Sequence, residues 1–160
     1  MKFKILALLS FCILTVTNFN GRVTRVMDGD TVEVIHNGAP ERVRLYGIDC
    51  PEIGHQAGEA SQAFGQKAKE FTTEFCRGQE VKIETHDNDK YGRTIGVVTR
   101  VSDGLVLNEE LLKAGFAWHY KQYDKNDKWQ QMEDEARQSR KGLWVDSQPM
   151  APWDYRHKDK

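Results

Sequence analysis

The sequence has almost no excess of charge of either sign. Its 23 lysines and arginines nearly balance 24 aspartates and glutamates, so the formal net charge is −1 at pH 7. A protein that binds nucleic acid through bulk charge would be strongly basic. Any binding to nucleic acid must therefore depend on a local site, or on a cation that inverts the local field.

Cysteine is also scarce, since the chain contains only Cys12, Cys50 and Cys76. Cys12 falls in an N-terminal segment that we expect to be removed. The other two could form one disulfide in an exported protein, and their spacing alone does not decide whether they meet. Cys50 lies within an acidic motif and Cys76 near a predicted helix end, which favours two unpaired thiols. No cysteine–histidine spacing matches a common zinc site.

Long apolar runs are missing from all but the N-terminus. Lys2 and Lys4 precede an apolar run over residues 5–16, which is typical of a secretory signal peptide and short for a membrane span. We predict a signal peptide at residues 1–17, cleaved within 17–20, and an exported mature protein, either secreted or periplasmic. A buried N-terminal strand is the alternative. Without residues 1–20 the chain keeps 21 basic and 24 acidic residues, so it stays slightly acidic.

Internal repeats, low-complexity runs and interdomain linkers are absent from the sequence. With 160 residues, 39% of them hydrophobic and 29% charged, the chain is expected to form one domain with a modest core. We place this domain at residues 21–144 and an extended C-terminal strap at residues 145–160. Prolines in the strap forbid a long helix, and its aromatic residues indicate that it packs back on the domain.

Alternating apolar residues, turn signals and helical spacing predict five strands and three helices. The predicted strands are residues 22–27, 32–35, 42–46, 81–83 and 94–101, and the predicted helices run from Glu59 to near Gly78, over Leu107–Ala114 and from Asn126 or Asp127 to about Lys141. Asn108 is the expected cap of the second helix, and either Asn126 or Asp127 is the expected cap of the third. This order fits an α+β fold, a five-stranded Greek-key barrel of the oligonucleotide-binding type with helices added.

Three short motifs at strand ends and turns carry the chemistry. They are Asp28-Gly29-Asp30-Thr31, the stretch from Arg44 to Glu52, and Asp89-Lys90-Tyr91-Gly92-Arg93. Three acids can hold a hard divalent cation and still leave one carboxylate free as a base. Two guanidinium groups form a natural fork for one phosphate. Together these residue types suggest hydrolysis of phosphodiesters.

In this order and spacing, the three motifs resemble the staphylococcal nuclease (thermonuclease) family. The resemblance covers about residues 22–144, most of the chain that follows the leader. It implies an oligonucleotide-binding barrel and calcium-dependent endonucleolytic cleavage of DNA and RNA with little sequence preference. It also implies cleavage at the 5′-oxygen, which would leave 3′-phosphate products. The mature protein is expected to be a monomer that does not bind membranes.

The resemblance also implies a role for each motif residue. Asp30 and Asp49 match the carboxylates that hold calcium, and Cys50 stands where the family often has threonine, a position that offers the ion its backbone carbonyl. Glu52 matches the proposed general base. The residues that match the two phosphate-clamping arginines are Arg44 and Arg93. Asp28 is expected to be a turn residue and not a direct ligand.

Further substrate contacts are implied at aromatic and basic positions. Lys90 and Tyr91 match residues beside the nucleotide phosphate. Tyr120 and Tyr123 lie where the family has tyrosines that contact the nucleotide, although the local register differs here. The alternative is that Trp118 and one of these tyrosines belong to the core. Three histidines are predicted to lie on the surface: His55, His86 and His119.

Two other functions compete with a nuclease. One is a catalytically inactive barrel that binds nucleic acid or protein, and such family members usually lose the acids or the arginines. The other is a surface adhesion or structural domain, for which only the expected export argues. Since the set of acids and arginines is complete in this sequence, it favours the enzyme.

Overall fold

The computed structural model of the chain describes residues 17–54 and 59–158, and its centre is a closed five-stranded barrel. The strands are β1 (Asn18–Asp28), β2 (Thr31–His36), β3 (Ala39–Leu45), β5 (Glu80–Asn88) and β6 (Thr94–Arg100). Around the barrel they follow the order β1-β2-β3-β6-β5, in which only β3 and β6 are parallel. The predicted α+β fold, a five-stranded barrel with helices, is therefore confirmed.

Helices and a small second sheet surround this barrel. The helices are α1 (Gly65–Cys76), α2 (Leu107–Ala114), α3 (Asp127–Gln138) and α4 (Pro152–Tyr155), with a 3-10 helix at Gly142–Val145. Two short antiparallel strands, β4 (Ile48–Asp49) and β7 (Trp118–His119), form the second sheet. Within residues 17–54 and 59–158, every helix is too short or too polar to cross a bilayer.

The barrel interior is filled by alternate residues of its strands, as the period of two in a strand requires. Eight of them are almost completely buried: Val23, Val32, Val34, Val43, Leu45, Val81, Ile83 and Val98. Helices α1 and α2 cover this core, and α3 packs on α2. Branched side chains therefore supply both the strand propensity and the apolar burial that hold the barrel together.

Helix α1 begins at Gly65, six residues later than Glu59, where the sequence pattern predicts its start. The preceding residues are engaged in tertiary contacts. Gln62 accepts a hydrogen bond from the Glu52 amide at 3.1 Å and donates one to the Met150 carbonyl at 2.6 Å. A Cβ at Gly65 would lie 2.5 Å from the Glu52 carbonyl oxygen, so glycine is required for this approach. Long-range contacts override the helical periodicity here.

The predicted caps of the next two helices have different outcomes. Asn126 caps α3 by accepting a hydrogen bond from the Lys128 amide at 3.0 Å. The assignment of Asn108 as a cap is wrong, because α2 is preceded by Val106 at the cap position. Asn108 is buried, and its amide group bridges the barrel instead: it accepts from the Val98 amide and donates to the Tyr46 carbonyl.

The predicted signal peptide lies outside the described residues except for Thr17, so it stays a prediction. Thr17 already contacts the barrel, since its carbonyl accepts a hydrogen bond from the Thr85 amide at 3.2 Å. Strand β1 begins at Asn18, which pairs with Glu84 of β5. The expected cleavage range of residues 17–20 therefore overlaps the first residues of β1.

The C-terminal segment, residues 143–158, includes the described part of the predicted strap. It packs on the domain, as its aromatic residues indicate, but it is not extended throughout. Trp144 is buried within the 3-10 helix, against the ring of Trp118 at a centroid distance of 4.5 Å. The guanidinium of Arg137 covers the Trp144 ring at 3.7 Å. Pro152 then starts α4, where its fixed φ suits the first helical turn. The proline that excludes a long helix thus begins a short one.

Candidate active site

The β1–β2 turn presents Asp30 to the site. Gly29 and Asp30 form the turn itself, and Thr72 of α1 fastens it by donating a hydrogen bond to the Gly29 carbonyl at 2.6 Å. A Cβ at Gly29 would lie 2.8 Å from the Cβ atoms of both Ala68 and Cys50. Glycine therefore lets the turn pack directly on α1 and on the Cys50 side chain, which fixes the position of the Asp30 carboxylate.

Arg44 links the two aspartates of the site. It pairs with Thr31 across β2 and β3, so it lies beside the turn that carries Asp30. One guanidinium nitrogen pairs with Asp30, and Nη2 donates to Asp49 Oδ1 at 2.5 Å. Asp30 is 5% exposed and Asp49 is fully buried, so both charges lie in a poorly solvated pocket. The amide of Cys50 also donates to Asp30 Oδ2, at 2.6 Å.

The ligand atoms that this pocket offers are of the type that a hard cation prefers. They are carboxylate oxygens of Asp30 and Asp49, and hard divalent cations prefer oxygen ligands. No group of three or more histidine, cysteine or acidic side chains is gathered as a metal cluster anywhere in the described parts of the chain. Instead guanidinium groups lie between the carboxylates. A cation that binds here would therefore displace arginine nitrogens from the carboxylates.

Glu52, the candidate base, is reached by an arginine that the sequence motifs do not contain. Arg156 follows α4 and pairs with Glu52 Oε1 through Nη1. Its Nη2 donates to Asp49 Oδ2 at 2.8 Å, and its Nη1 also lies 3.2 Å from Asp49 Oδ1. Burial alone lowers the pKa of Arg156, but the bonds and charges of Asp49 and Glu52 outweigh it and raise that pKa above its ordinary value.

Side-chain contacts of the tail hold Arg156 in this position. The ring of Trp153 stacks on Tyr120 with centroids 4.9 Å apart, and the Tyr155 hydroxyl donates to the Ala60 carbonyl at 2.9 Å. No local pattern in the sequence links Arg156 to Glu52, which lies 104 residues earlier. The one available signal was the cluster of proline and aromatic residues just before Arg156, which indicates docking but not its destination.

Arg93, the second predicted phosphate clamp, lies apart from the carboxylates. Its Nε donates to Asp89 Oδ2 at 2.7 Å, and its amide donates to Asp89 Oδ1. Burial by itself raises the pKa of Asp89, but the hydrogen bonds from Arg93 and Tyr91 outweigh it and keep that pKa below its ordinary value. Among the described residues, none of the ion pairs of Arg93 reaches the aspartates of the pocket. The structure thus joins Arg44, but not Arg93, to the acidic cluster.

The predicted substrate-contacting residues fall into two groups. Lys90 and Tyr91 lie on the exposed β5–β6 turn, where the Lys90 ammonium is 5.1 Å from the Tyr91 ring and Tyr91 is 74% exposed. Tyr120 lies beside the pocket: burial, followed by the charge of Asp49, raises its pKa. Tyr123 is 61% exposed and meets Tyr120 edge to face.

A cavity of about 570 Å³ opens between β7 and α4, next to the acidic pocket. Aromatic and basic side chains predominate among those that line it: Trp118, Tyr120, Lys121, Arg137, Trp153 and His157. Trp118 is half-buried and packs on both Trp144 and Trp153. The sequence left two alternatives open for these aromatic residues, packing in the core or contact with the nucleotide. Trp118 fits the core, and Tyr120 fits a surface beside the site.

The prediction that the histidines lie on the surface is wrong for His119. Its side chain is buried, with Nε2 at 2.7 Å from Asp124 Oδ2 and Nδ1 at 3.0 Å from Gln130 Oε1. Its backbone amide also donates to Glu133, so β7 is tied to α3. His86 is half-buried and stacks on Tyr46 at 3.9 Å, and His55 lies outside the described residues. A lone polar residue between aromatics gave no sign of this buried network.

Cys50 and Cys76 are both free and buried, in agreement with the expected unpaired thiols. Burial raises the pKa of the Cys76 thiol to about 12 and that of Cys50 well above its ordinary value. Neutral, buried thiols are poor nucleophiles and poor metal ligands. Cys50 therefore contributes its backbone to the site, through the amide bound to Asp30.

Comparison with known proteins agrees with this geometry. Residues 42–146 match the family described as Staphylococcal nuclease homologue. The chain is 36% identical to an uncharacterized endonuclease of Escherichia coli O157:H7, over 88% of this chain and 87% of the relative. It is 37% identical to a micrococcal nuclease of Shigella flexneri, over 89% and 83% of the two chains. A probable staphylococcal-like nuclease of Oryza sativa subsp. japonica is 39% identical over 72% of this chain, but that match spans only 32% of the longer plant protein.

Proposed function

Because the chain belongs to the staphylococcal nuclease family and is a nuclease acting on nucleic acids, we propose that it is a calcium-dependent endonuclease. DNA and RNA are its proposed substrates, cut with little sequence preference to leave 3′-phosphate ends. The observation that carries the proposal is the buried arrangement of Asp30, Arg44 and Asp49 next to Glu52. We further propose that the mature protein is exported and acts as a monomer.

Asp30 and Asp49 are the proposed ligands of calcium, together with the backbone carbonyl of Cys50. Their carboxylates suit the ion, and the buried pocket strengthens any electrostatic contact within it. When bound, calcium neutralises charge on the phosphodiester and supplies a coordinated water. Asp28 stays outside this ligand set.

Glu52 is the proposed general base. Its carboxylate accepts a proton from the attacking water as that water's oxygen bonds to phosphorus. The bond from phosphorus to the 5′-oxygen breaks, the leaving oxygen takes a proton from solvent, and Glu52 returns its proton to solvent. The products are a 3′-phosphate and a free 5′-hydroxyl, so atoms and charge balance without any oxidant or further co-reactant.

Arg44 and Arg93 are the proposed donors to the phosphate oxygens. Charge-assisted bonds from a guanidinium strengthen as negative charge develops in the transition state. Arg44 already faces the acidic pocket, whereas Arg93 is paired with Asp89 on a turn at the start of β6. We propose that phosphate draws Arg93 away from Asp89. Lys90, Tyr91, Tyr120 and Tyr123 are the proposed contacts to the rest of the nucleic acid.

Digestion of supercoiled plasmid DNA tests this proposal. We expect the purified protein to convert plasmid to nicked and then short fragments with calcium, and to lose this activity in excess chelator. The Asp30→Ala/Asp49→Ala double variant, purified in parallel, controls for contaminating nucleases and should be inactive. Equal activity of the wild type with chelator and with calcium would contradict calcium dependence. Labelling of product ends by a kinase that requires a 5′-hydroxyl checks the bond that is cut.

A further inference from the structure

Arg156 lies beyond residues 42–146, the stretch that matches the family model, as Asp30 does at the other end. It is nevertheless the residue of the C-terminal segment that enters the acidic pocket. It directly follows α4, whose docking depends on Trp153 against Tyr120 and on Tyr155 against Ala60. Through Arg156, the C-terminal segment therefore adds a contact to a site that the barrel builds.

Arg156 binds two carboxylates, those of Asp49 and Glu52, that the proposed chemistry needs free. Both carboxylate oxygens of Asp49 accept from Arg156, at 3.2 Å and 2.8 Å, and Glu52 Oε1 pairs with the same guanidinium. A carboxylate offers its lone pairs either to N–H donors or to a cation. A guanidinium bound to Glu52 also holds the carboxylate that is proposed to accept the proton of water.

We propose that Arg156 is a displaceable counter-ion that competes with calcium for Asp49 and Glu52, so that the C-terminal segment restrains the site until the ion binds. This inference rests on the proposed function. In the resting protein, the guanidinium pairs with two neighbouring carboxylates. On calcium binding it withdraws, and Glu52 becomes free to act as base.

Arg44 and Arg156 both contact Asp49, and their exposure shows which one can leave. The Arg156 side chain is 37% exposed, whereas that of Arg44 is 17% exposed and lies between two aspartates on a barrel strand. Withdrawal of Arg156 into water leaves no charge buried without a partner, because the guanidinium is rehydrated. The aromatic contacts of α4 do not involve the guanidinium, so the helix can stay docked.

With such competition, the apparent affinity for calcium equals the intrinsic affinity multiplied by the fraction of molecules in which the site is free of Arg156. Removal of Arg156 should therefore tighten calcium binding in the absence of nucleic acid. Since the pair is partly exposed, we expect a modest effect, a decrease in the calcium dissociation constant of about three- to tenfold.

Calorimetric titration of the full chain with calcium alone tests the inference. The proteins compared are the wild type, Arg156→Ala, Arg156→Lys and the control Lys158→Ala, which removes one positive charge from the same segment. Arg156→Ala should bind calcium about three- to tenfold more tightly than the wild type, and Lys158→Ala should bind like the wild type. Arg156→Lys should fall between them, because an ammonium lacks the planar fork.

Thermal melts of the same proteins supply a second readout that does not depend on activity. Without calcium, Arg156→Ala should melt below the wild type, because Asp49 and Glu52 lose a counter-ion. Saturating calcium should raise its melting temperature by more than it raises that of the wild type. A merely structural ion pair would lower both melting temperatures and leave the shift caused by calcium unchanged.

Failure of this inference and failure of the proposed function give different results. If the wild type binds calcium and Arg156→Ala binds it no more tightly, the counter-ion role is wrong and the calcium site stands. If neither protein binds calcium, the calcium assignment fails and the counter-ion role fails with it. If only Arg156→Ala binds, the restraint is stronger than expected and the inference is supported.

Discussion

The barrel and the C-terminal segment meet at the same acidic pocket but are built in different ways. Backbone ladders of the barrel position Asp30 and Arg44, since Asp30 forms the β1–β2 turn and Arg44 pairs across β2 and β3. The C-terminal segment reaches the pocket through side-chain contacts, chiefly those of Trp153 and Tyr155. The first arrangement is fixed by the fold itself. The second depends on a few contacts that can be removed one at a time.

The largest expected effects concern Arg44 and Arg93, the two arginines that are proposed to bind phosphate. Arg44→Ala and Arg93→Ala should each lower the rate of DNA cleavage by about 100-fold or more, with little recovery at high calcium. Only Arg44→Ala should also lower stability strongly. It leaves two buried aspartates without their shared counter-ion, and breaking a buried pair costs about 3–5 kcal/mol.

Arg93→Ala serves as the matched comparison for stability. Arg93 is half-buried and pairs locally with Asp89, so we expect its removal to change the free energy of unfolding by about 1 kcal/mol or less. Urea unfolding of both variants without calcium gives the two values. Equal stability of the two variants would mean that Arg44 does not hold the aspartates together.

The next effect compares two tryptophans of the C-terminal segment. Trp144 is buried between Trp118 and Arg137, and Trp144→Ala should cost about 3–5 kcal/mol in urea unfolding. Trp153 is half-buried and stacks on Tyr120, so Trp153→Ala should cost about 1 kcal/mol. Trp153→Ala should also loosen α4 and imitate Arg156→Ala in calcium titrations. An effect of Trp153→Ala as large as that of Trp144→Ala would show that α4 is part of the main core.

The contrast between barrel and tail also explains what the sequence could predict. Alternation and turn residues are local signals, and they identify the turn that carries Asp30 and the strand that carries Arg44. They do not identify β4, the short strand that carries Asp49. The start of α1 was misplaced because Gln62 satisfies the Glu52 amide and the Met150 carbonyl, contacts that local periodicity does not contain. Arg156 was missed for the same reason, since its partners are set by how the tail docks.

A smaller effect concerns the buried thiol of Cys76 and pH. Its pKa is about 12 in the folded protein against 9.0 for the unperturbed group, so the folded state keeps the proton over that interval. Stability from this group is complete below about pH 9 and falls as pH rises toward the folded pKa. Between pH 8 and 10 the free energy of unfolding should fall by about 1.4 kcal/mol more in the wild type than in Cys76→Ala. Urea midpoints of both proteins at the two pH values measure it, and parallel losses would contradict a raised pKa.

The calcium dependence of DNA cleavage by the wild type and by Asp49→Asn tests the proposed metal site directly. Asp103→Asn is the matched control, because Asp103 is exposed and pairs with Arg100, outside the acidic pocket. Asp49→Asn removes one charged ligand with little change of shape, so it should need far more calcium for half-maximal cleavage. Asp103→Asn should match the wild type. If Asp49→Asn cleaved DNA with the calcium dependence of the wild type, the buried pair of aspartates would not be the metal site.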